Sequence, residues 1–362
     1  MILSMNTKLT TVFLGIITLI AMGAVLHILQ TLFLPLVIAI LFSFILAPLV
    51  CHFNRRIPRF LAVFLVIIIL IVGLYLIGWF FYTSINAFIS VLGYYQDRFN
   101  IIVREISQRY NLPSDMMEAF HLSNGLRSGL LSFSISFVSF AGQLIIVLFF
   151  VVFMLLENPL SEKKMHLAFK GSSRDRVKKI IKKINHQITR YLSIKLAISG
   201  ATGFLVGVSL YFIGLDFYLM WAFLAILFNF IPSIGSTFIM LATILMSFIQ
   251  FYPEWNPILA TMIIMPLIQM VLGNFLDPKL QGNQLDLSPV IILISLVFWG
   301  WIWGIAGMFL AVPLAETIKI ICINIEVLKP VGILMSSGRA LEPVSEPYMD
   351  IEKDEKEHNE EI

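Results

Sequence analysis

Residues 217–252 read FYLMWAFLAILFNFIPSIGSTFIMLATILMSFIQFY, with no formal charge anywhere and helix breakers at the centre. One membrane-crossing helix needs roughly 20 apolar residues. The stretch is therefore long enough to enter lipid, break at Asn229-Phe230-Ile231-Pro232-Ser233-Ile234-Gly235-Ser236, and return. Proline removes an amide donor and glycine weakens a helix interior, and hydrocarbon offers the freed backbone groups no partner. Irregular backbone at that depth survives only inside protein or against a water-filled cavity. A second stretch, Pro289 to Cys322, is broken in the same way at Gly300-Trp301-Ile302-Trp303-Gly304-Ile305-Ala306-Gly307, with Pro313 further on.

The rest of the chain agrees with a lipid setting. It has 362 residues, 59% hydrophobic and 13% charged, with a mean hydropathy of +0.90, whereas an ordinary soluble domain is about a quarter charged. Seven gaps between successive charged residues, at 9–54, 60–96, 128–156, 196–215, 217–253, 255–276 and 287–315, hold 220 residues in all. These figures specify an all-α polytopic membrane protein of about eight membrane segments, two of them interrupted or re-entrant helical hairpins. The first apolar stretch runs past Pro35. That exceeds a signal-peptide core, so it reads as a retained span.

Basic residues collect on the cytoplasmic side of spans. The loop from His52 to Arg59 has three arginines and no acid, and residues 157–195 carry eleven Lys or Arg against three acids. Segment 83–130, with four of each sign, suits the outside. Both termini are thus placed inside, and the chain divides into spans one to three (1–82), an extracytoplasmic helical stalk (83–130), a fourth span (131–156), a basic cytoplasmic amphipathic segment (157–193), a transport half (194–322) and an acidic tail (323–362). Residues 342–362 hold nine acids and two lysines and little to bury, which predicts disorder.

Within the stalk, Ile85, Phe88, Leu92, Tyr95, Phe99, Ile102 and Ile106 form an a/d seam. It fits either packing on a neighbouring element or self-association. In the basic segment, Val177, Ile180, Ile181, Ile184, Ile188 and Tyr191 share a helix face while lysines take the others, as in a helix lying on an anionic leaflet. Nucleic acid is a poorer fit, since the basic residues lack interleaved aromatics. Gly203 and Gly207 form a GxxxG step that lets another helix come close.

Between the broken stretches lie Gln269 and Gly273-Asn274-Phe275-Leu276-Asp277-Pro278, amides, a carboxylate and helix breakers beside a span. Asp277 reads either as a coupling site or as a turn residue preceding proline. Glu316, a turn beyond Pro313, is the second ionisable candidate. The candidates for substrate or ion binding are Asn229, Pro232, Ser233, Gly235, Gln269, Asn274, Asp277, Pro278, Gly304, Gly307, Pro313 and Glu316. Nothing points to a metal or cofactor. No His-Glu-x-x-His, Gly-x-Ser-x-Gly or phosphate-binding G-x-x-x-x-G-K-[ST] motif occurs, the six histidines are scattered, and Cys51 and Cys322 form no disulfide framework. Enzymatic chemistry and direct ATP hydrolysis are disfavoured. A carrier remains, with a non-transporting scaffold as the alternative that the two breaks argue against.

At these breaks the sequence resembles the autoinducer-2 exporter family of bacterial PerM-like permeases. Ile231-Pro232-Ser233-Ile234-Gly235 matches a PYIG-like turn, with serine in the aromatic position. Asn274, Pro278 and Gly282 match N-x-x-x-P-x-x-x-G, Ser288-Pro289 the start of the last stretch, and Gly304, Gly307, Ala311 and Pro313 a closing G-x-x-G-x-x-x-A-x-P. Glu316 stands where members often carry a small apolar residue. The resemblance implies a secondary transporter in the bacterial inner membrane, exporting a small polar molecule such as autoinducer-2 with an ion gradient. A sodium(lithium)/proton antiporter is the alternative. The partners implied are the bilayer, the substrate, a proton or sodium ion, and copies of the same chain, in a pentamer.

Overall fold

The computed structural model describes residues 2–110, 143–157, 172–232, 234–281 and 287–337, and every regular element among them is helical. Ser233, Gly282, the far part of the expected stalk (111–130), the start of the fourth span (131–142), residues 158–171 and the acidic tail from 338 lie outside the described residues. In chain order the helices are α1 (Ile2–Ile28), α2 (Gln30–Phe53), α3 (Arg59–Tyr110), α4 (Gln143–Glu157), α5 (Ser172–Ile213), α6 (Tyr218–Phe228), α7 (Ile234–Phe251), α8 (Trp255–Gln281), α9 (Pro289–Asn324) and α10 (Lys329–Leu334). Six are long and apolar enough to cross a membrane. Their outward surfaces are apolar too: Ile145, Phe212, Val297 and Trp301 are each largely exposed. Such a surface is solvated by lipid and not by water. The chain is an all-α polytopic membrane protein.

Two pairs of expected elements fuse. The third span and the stalk form one helix of 52 residues, about 78 Å long. The basic segment and the fifth span form another of 42 residues, ending at Gly214 with φ +83°, a conformation that glycine adopts freely. α5 supplies a ruler for everything packed on it, with a basic end carrying Arg174 to Arg190 and a far end at Ile213.

At both breaks the chain turns back on itself. α6 has only 11 residues, about 16 Å, half the hydrocarbon thickness. After it, Gly235 seats directly on the Phe228 carbonyl, where an added Cβ would lie 1.8 Å from the oxygen. The rings of Phe228 and Phe238 stack at 5.3 Å across the turn. In α9 the same arrangement recurs: a Cβ on Gly307 would lie 1.8 Å from the Trp299 oxygen, and Ser295 donates its hydroxyl to the Ala311 carbonyl at 2.8 Å. In a straight helix those two residues would stand about 24 Å apart. The turn is made at Trp303 and Gly304, the latter at φ 61°, ψ −143°, where a side chain is strongly disfavoured. α9 is thus two antiparallel legs.

The hairpins enter from opposite ends of α5. The base of the first sits at the far end, where Gln250 accepts from the Asp216 amide and donates to the Gly214 carbonyl, both at 2.9 Å. α3 clamps this base: the Tyr95 hydroxyl donates to Asp216 at 2.5 Å, and Arg98 donates to the carbonyls of Ile249 and Tyr252 at 2.9 and 2.8 Å. Phe88 and Tyr95 of the stalk seam pack on Leu215, Phe217 and Met220. This part of the seam is therefore spent inside the chain. The base of the second hairpin lies nearer the basic end, where Leu287, Val312, Ala315 and Met335 cover Ile184, Ile188 and Tyr191. The apolar face expected on the leaflet is, from Ile184 onward, a protein contact.

The two tips meet side by side. Ile231 of the first packs with Leu296, Trp299, Ile302 and Trp303 of the second, and Phe230 lies 6.1 Å from Phe309. The α1–α2 corner holds the second tip: His27 donates through Nδ1 to the Ile302 carbonyl at 2.8 Å, and the Trp303 indole donates to the Leu26 carbonyl at 3.2 Å.

Candidate functional site

A buried polar seam runs along one face of α5, built from Lys195, Ser199 and Thr202. Their four- and three-residue spacings stack them on a single helix stripe. Lys195 and Ser199 each meet a partner from another element, while the Thr202 hydroxyl donates to the Ile198 carbonyl of its own helix at 2.8 Å beside a small cavity.

At the first level, Lys195 Nζ lies 2.8 Å from Asp277 Oδ2, with the side chains 5% and 14% exposed. The other Asp277 oxygen accepts from the Gln281 amide. One turn along, Asn229 at the first hairpin's tip donates its amide to Ser199 Oγ at 3.0 Å, both residues being buried. Further on, Thr202, Ser236 and Gln269 line a cavity of about 20 Å³, closed by Val206, Ile239, Met240 and Met265. That is room for one water among three polar side chains.

Local sequence brings these groups together. On Gly203 a Cβ would lie 2.3 Å from Ile226 Cγ1 and 2.7 Å from the Ala222 carbonyl, and on Gly207 it would touch the Ala222 methyl at 3.0 Å. The glycine pair therefore lets α6 descend against α5 and deliver Asn229 to Ser199. In α8, residues Gln269–Leu276 are π-helical, a local widening that redirects the residues it carries and often occurs at functional sites. A Cβ on Gly273 would lie 2.4 Å from Gln269 Nε2, so the glycine leaves the space that the glutamine side chain occupies. α7 and α8 are joined by the buried hydroxyls of Ser247 and Thr261 at 3.0 Å.

The pair of charges is the costly part. Two ions removed from water recover their desolvation only with close geometry and further hydrogen bonds. Ionisable groups at membrane depth face protein or water and mark substrate or ion pathways. Asp277, helical and 14% exposed, is held against Lys195.

Of the expected site residues, Asn229, Gln269 and Asp277 converge here, while Gly235 and the half-buried Pro232 shape the tip above them. Asn274 and Pro278 are exposed and stand away from the seam. Gly304 and Gly307 form the second tip, and Pro313 is buried in its return leg, where its carbonyl accepts from Thr317 at 2.8 Å. Glu316, deeper in that leg, pairs with Lys319 at 3.0 Å. Sequence reasoning missed Lys195, Ser199, Thr202 and Lys319. The signal was present: Lys195 closes the basic run and opens an uncharged span whose first hydroxyls fall on its own face. Among the described residues, no three His, Cys, Asp or Glu side chains gather as a metal site.

Comparison with known proteins gives this geometry a family. The model of the AI-2E family transporter matches residues 16–326. A putative transport protein of Borreliella burgdorferi is 34% identical over 331 residues, covering 91% of each chain. The AI-2 transport protein TqsA of Escherichia coli is 29% identical over 329 residues, 88% of this chain and 93% of its own. The putative transport protein YrrI of Bacillus subtilis is 23% identical over 317 residues, 82% of this chain and 87% of its own. The similarity runs through both hairpins and the seam between them, and the chain belongs to the AI-2E family of membrane transporters.

Proposed function

We propose that this transporter is a secondary carrier exporting a small polar molecule of the autoinducer-2 class from the bacterial cytoplasm, driven by an ion gradient. The observation that carries the reading is the meeting of a broken helix tip with a buried ion pair. Asn229 and Ser199, Lys195 and Asp277, and Thr202 with Gln269 offer donors, acceptors and both signs of charge within two helical turns. A polyhydroxylated carbonyl compound is recognised by such neutral and charged hydrogen bonds together.

The cavity beside the seam is water-sized, too small as described for a metabolite. Admission of a metabolite requires the first tip to withdraw from α5, which separates Asn229 from Ser199 and hydrates the Lys195–Asp277 pair. The bound molecule's hydroxyls then replace the bonds lost. Asp277 has a second use that keeps antiport of sodium or lithium against protons in view, because a carboxylate able to leave its lysine can take a cation or a proton instead. The reading places both termini in the cytoplasm, the far end of α5 outside, and the lipid-like outer surface against bilayer and neighbouring copies in an inner-membrane homo-oligomer.

Reconstitution into liposomes tests it. Autoinducer-2 flux is measured under imposed proton and sodium gradients applied separately. Asp277→Asn and Asn229→Ala are expected to lower the flux about tenfold or more, a loss of roughly 1.4 kcal/mol of barrier stabilisation. Wild-type flux in both variants sinks the site assignment.

A further inference from the structure

The amino-terminal part of α5 presents a concentration of charge that the seam does not use. Residues 172–190 carry seven Lys or Arg against one acid, and Arg176, Lys179, Lys182, Lys183 and Arg190 are all exposed. Lys179 and Lys183 stand one turn apart on the same helix stripe, with Lys182 beside them, so like charges face one another and weaken the helix. A polyanion laid on this face relieves that repulsion.

Anionic headgroups are one source of such charge, but a helix lying on a leaflet is held there by sinking its apolar face into the acyl boundary. From Ile184 onward that face is already covered by Leu287, Val312, Ala315 and Met335. The other source is the chain's own carboxyl-terminal segment, residues 342–362, with nine acids and two lysines. The fold delivers that segment to the right place. The first acid after α9, Glu326, already reaches Arg176, with Oε1 4.0 Å from Nη2. Met335, further on, joins the cluster around Ile184, Ile188 and Tyr191, and its carbonyl accepts from the Ser288 amide at 2.9 Å. The described residues end at Ser337, so the 25 residues from 338 to 362 continue from beside the basic run. A chain of that length covers about 25–30 Å even when coiled, and the helix from Arg174 to Arg190 is about 24 Å long. Residues 158–171, which precede α5, are no complement, since they add three lysines and one glutamate.

We propose that the acidic carboxyl-terminal segment docks on the basic face of α5 in its own chain, with its carboxylates against Lys179, Lys182 and Lys183. Each exposed pair is worth little alone, so the contact rests on many at once and is screened by salt. Docked, the segment ties the end of α9 to α5 and keeps anionic lipid off the basic face.

The test needs no substrate. Full-length protein in lipid nanodiscs is treated with a water-soluble carbodiimide, which joins an amine to a carboxylate already beside it, and the linked peptides are identified by mass spectrometry. Links from the acids of 342–362 to Lys179, Lys182 and Lys183 should exceed those to Lys329 several-fold per lysine. They should lie in the monomer band of a denaturing gel, fall at high salt, and persist when phosphatidylglycerol is added to phosphatidylcholine. Lys329 is exposed and nearer to the segment along the chain, so a tether without a docking site would favour it. A second measurement follows acetylation of the three α5 lysines by a soluble reagent, which should run several-fold faster in Glu352→Gln/Asp354→Asn/Glu355→Gln/Glu357→Gln/Glu360→Gln/Glu361→Gln than in the wild type. Links no more frequent than at Lys329, or confined to a dimer band, overturn the proposal. So does their loss with phosphatidylglycerol, which would give the face to lipid headgroups, and so do equal acetylation rates in the two proteins.

Discussion

Gly235 and Gly307 each lie against the carbonyl of an aromatic residue in the opposite leg, Phe228 and Trp299. In both places the obstruction to a side chain is backbone, which cannot swing aside. Gly235→Ala and Gly307→Ala should each destabilise the fold by about 2–3 kcal/mol or more, as overpacked sites do, and lower the thermal transition in detergent. Gly200→Ala is the matched control, since nothing lies within 4 Å of the added methyl. There the helix should gain up to about 1 kcal/mol in propensity, and a loss comparable to that at Gly235 would refute the account of the turns. These two glycines were legible as helix breakers, because proline and glycine in an uncharged run have a local meaning. The contact partner was not, since Phe228 and Trp299 reach them only after the chain has reversed. Asn274 shows the opposite failure: it shares a turn with Asp277 in sequence, yet the π-helical stretch alters the angular step and leaves the amide outside while the carboxylate goes in.

The elements were legible where hydrophobic runs ended in breakers or charge, and least so where two functions share one helix. The third span and its stalk, like the basic segment and the fifth span, change from lipid-facing to amphipathic composition without any residue that ends a helix. Composition suggested a boundary; the backbone had no reason for one. The reversal within α9 is the sharpest claim at this scale, because α-helical hydrogen bonding resumes on each side of Gly304. Cysteines at Ser295 and Ala311, in a background lacking Cys51 and Cys322, should cross-link efficiently under mild oxidation, since the native hydroxyl reaches the Ala311 carbonyl at 2.8 Å. Disulfides require Cα atoms within about 7 Å. Failure of that pair to oxidise, alongside efficient cross-linking of an adjacent-helix control such as Ser247→Cys with Thr261→Cys, would count against the hairpin.

For the whole molecule, the proposed direction in the membrane rests on charge distribution, because the lipid-facing surfaces carry no direction of their own. The proposed topology puts Trp255, at the base of the first hairpin, outside, and exposed Cys51, beside His52 and Arg55, inside. A membrane-impermeant maleimide should label Trp255→Cys in intact cells and native Cys51 only in inverted vesicles. The reverse pattern would invert the topology and make the proposed exporter face the wrong way. The meeting of the tips was beyond sequence reasoning altogether, because it joins Ile231 to Trp299 and Trp303 across 67 and 71 intervening positions. Its consequence for the proposed carrier is that the two hairpins would behave like the doors of an airlock hung on a shared latch. Withdrawal of either strips apolar cover from the other, a penalty that grows with the area uncovered, and if both withdrew at once neither tip would have the other to close against. In the proposed carrier the cluster at the tips would thus act as an interlock, with leakage opposed by the same contacts that join the tips.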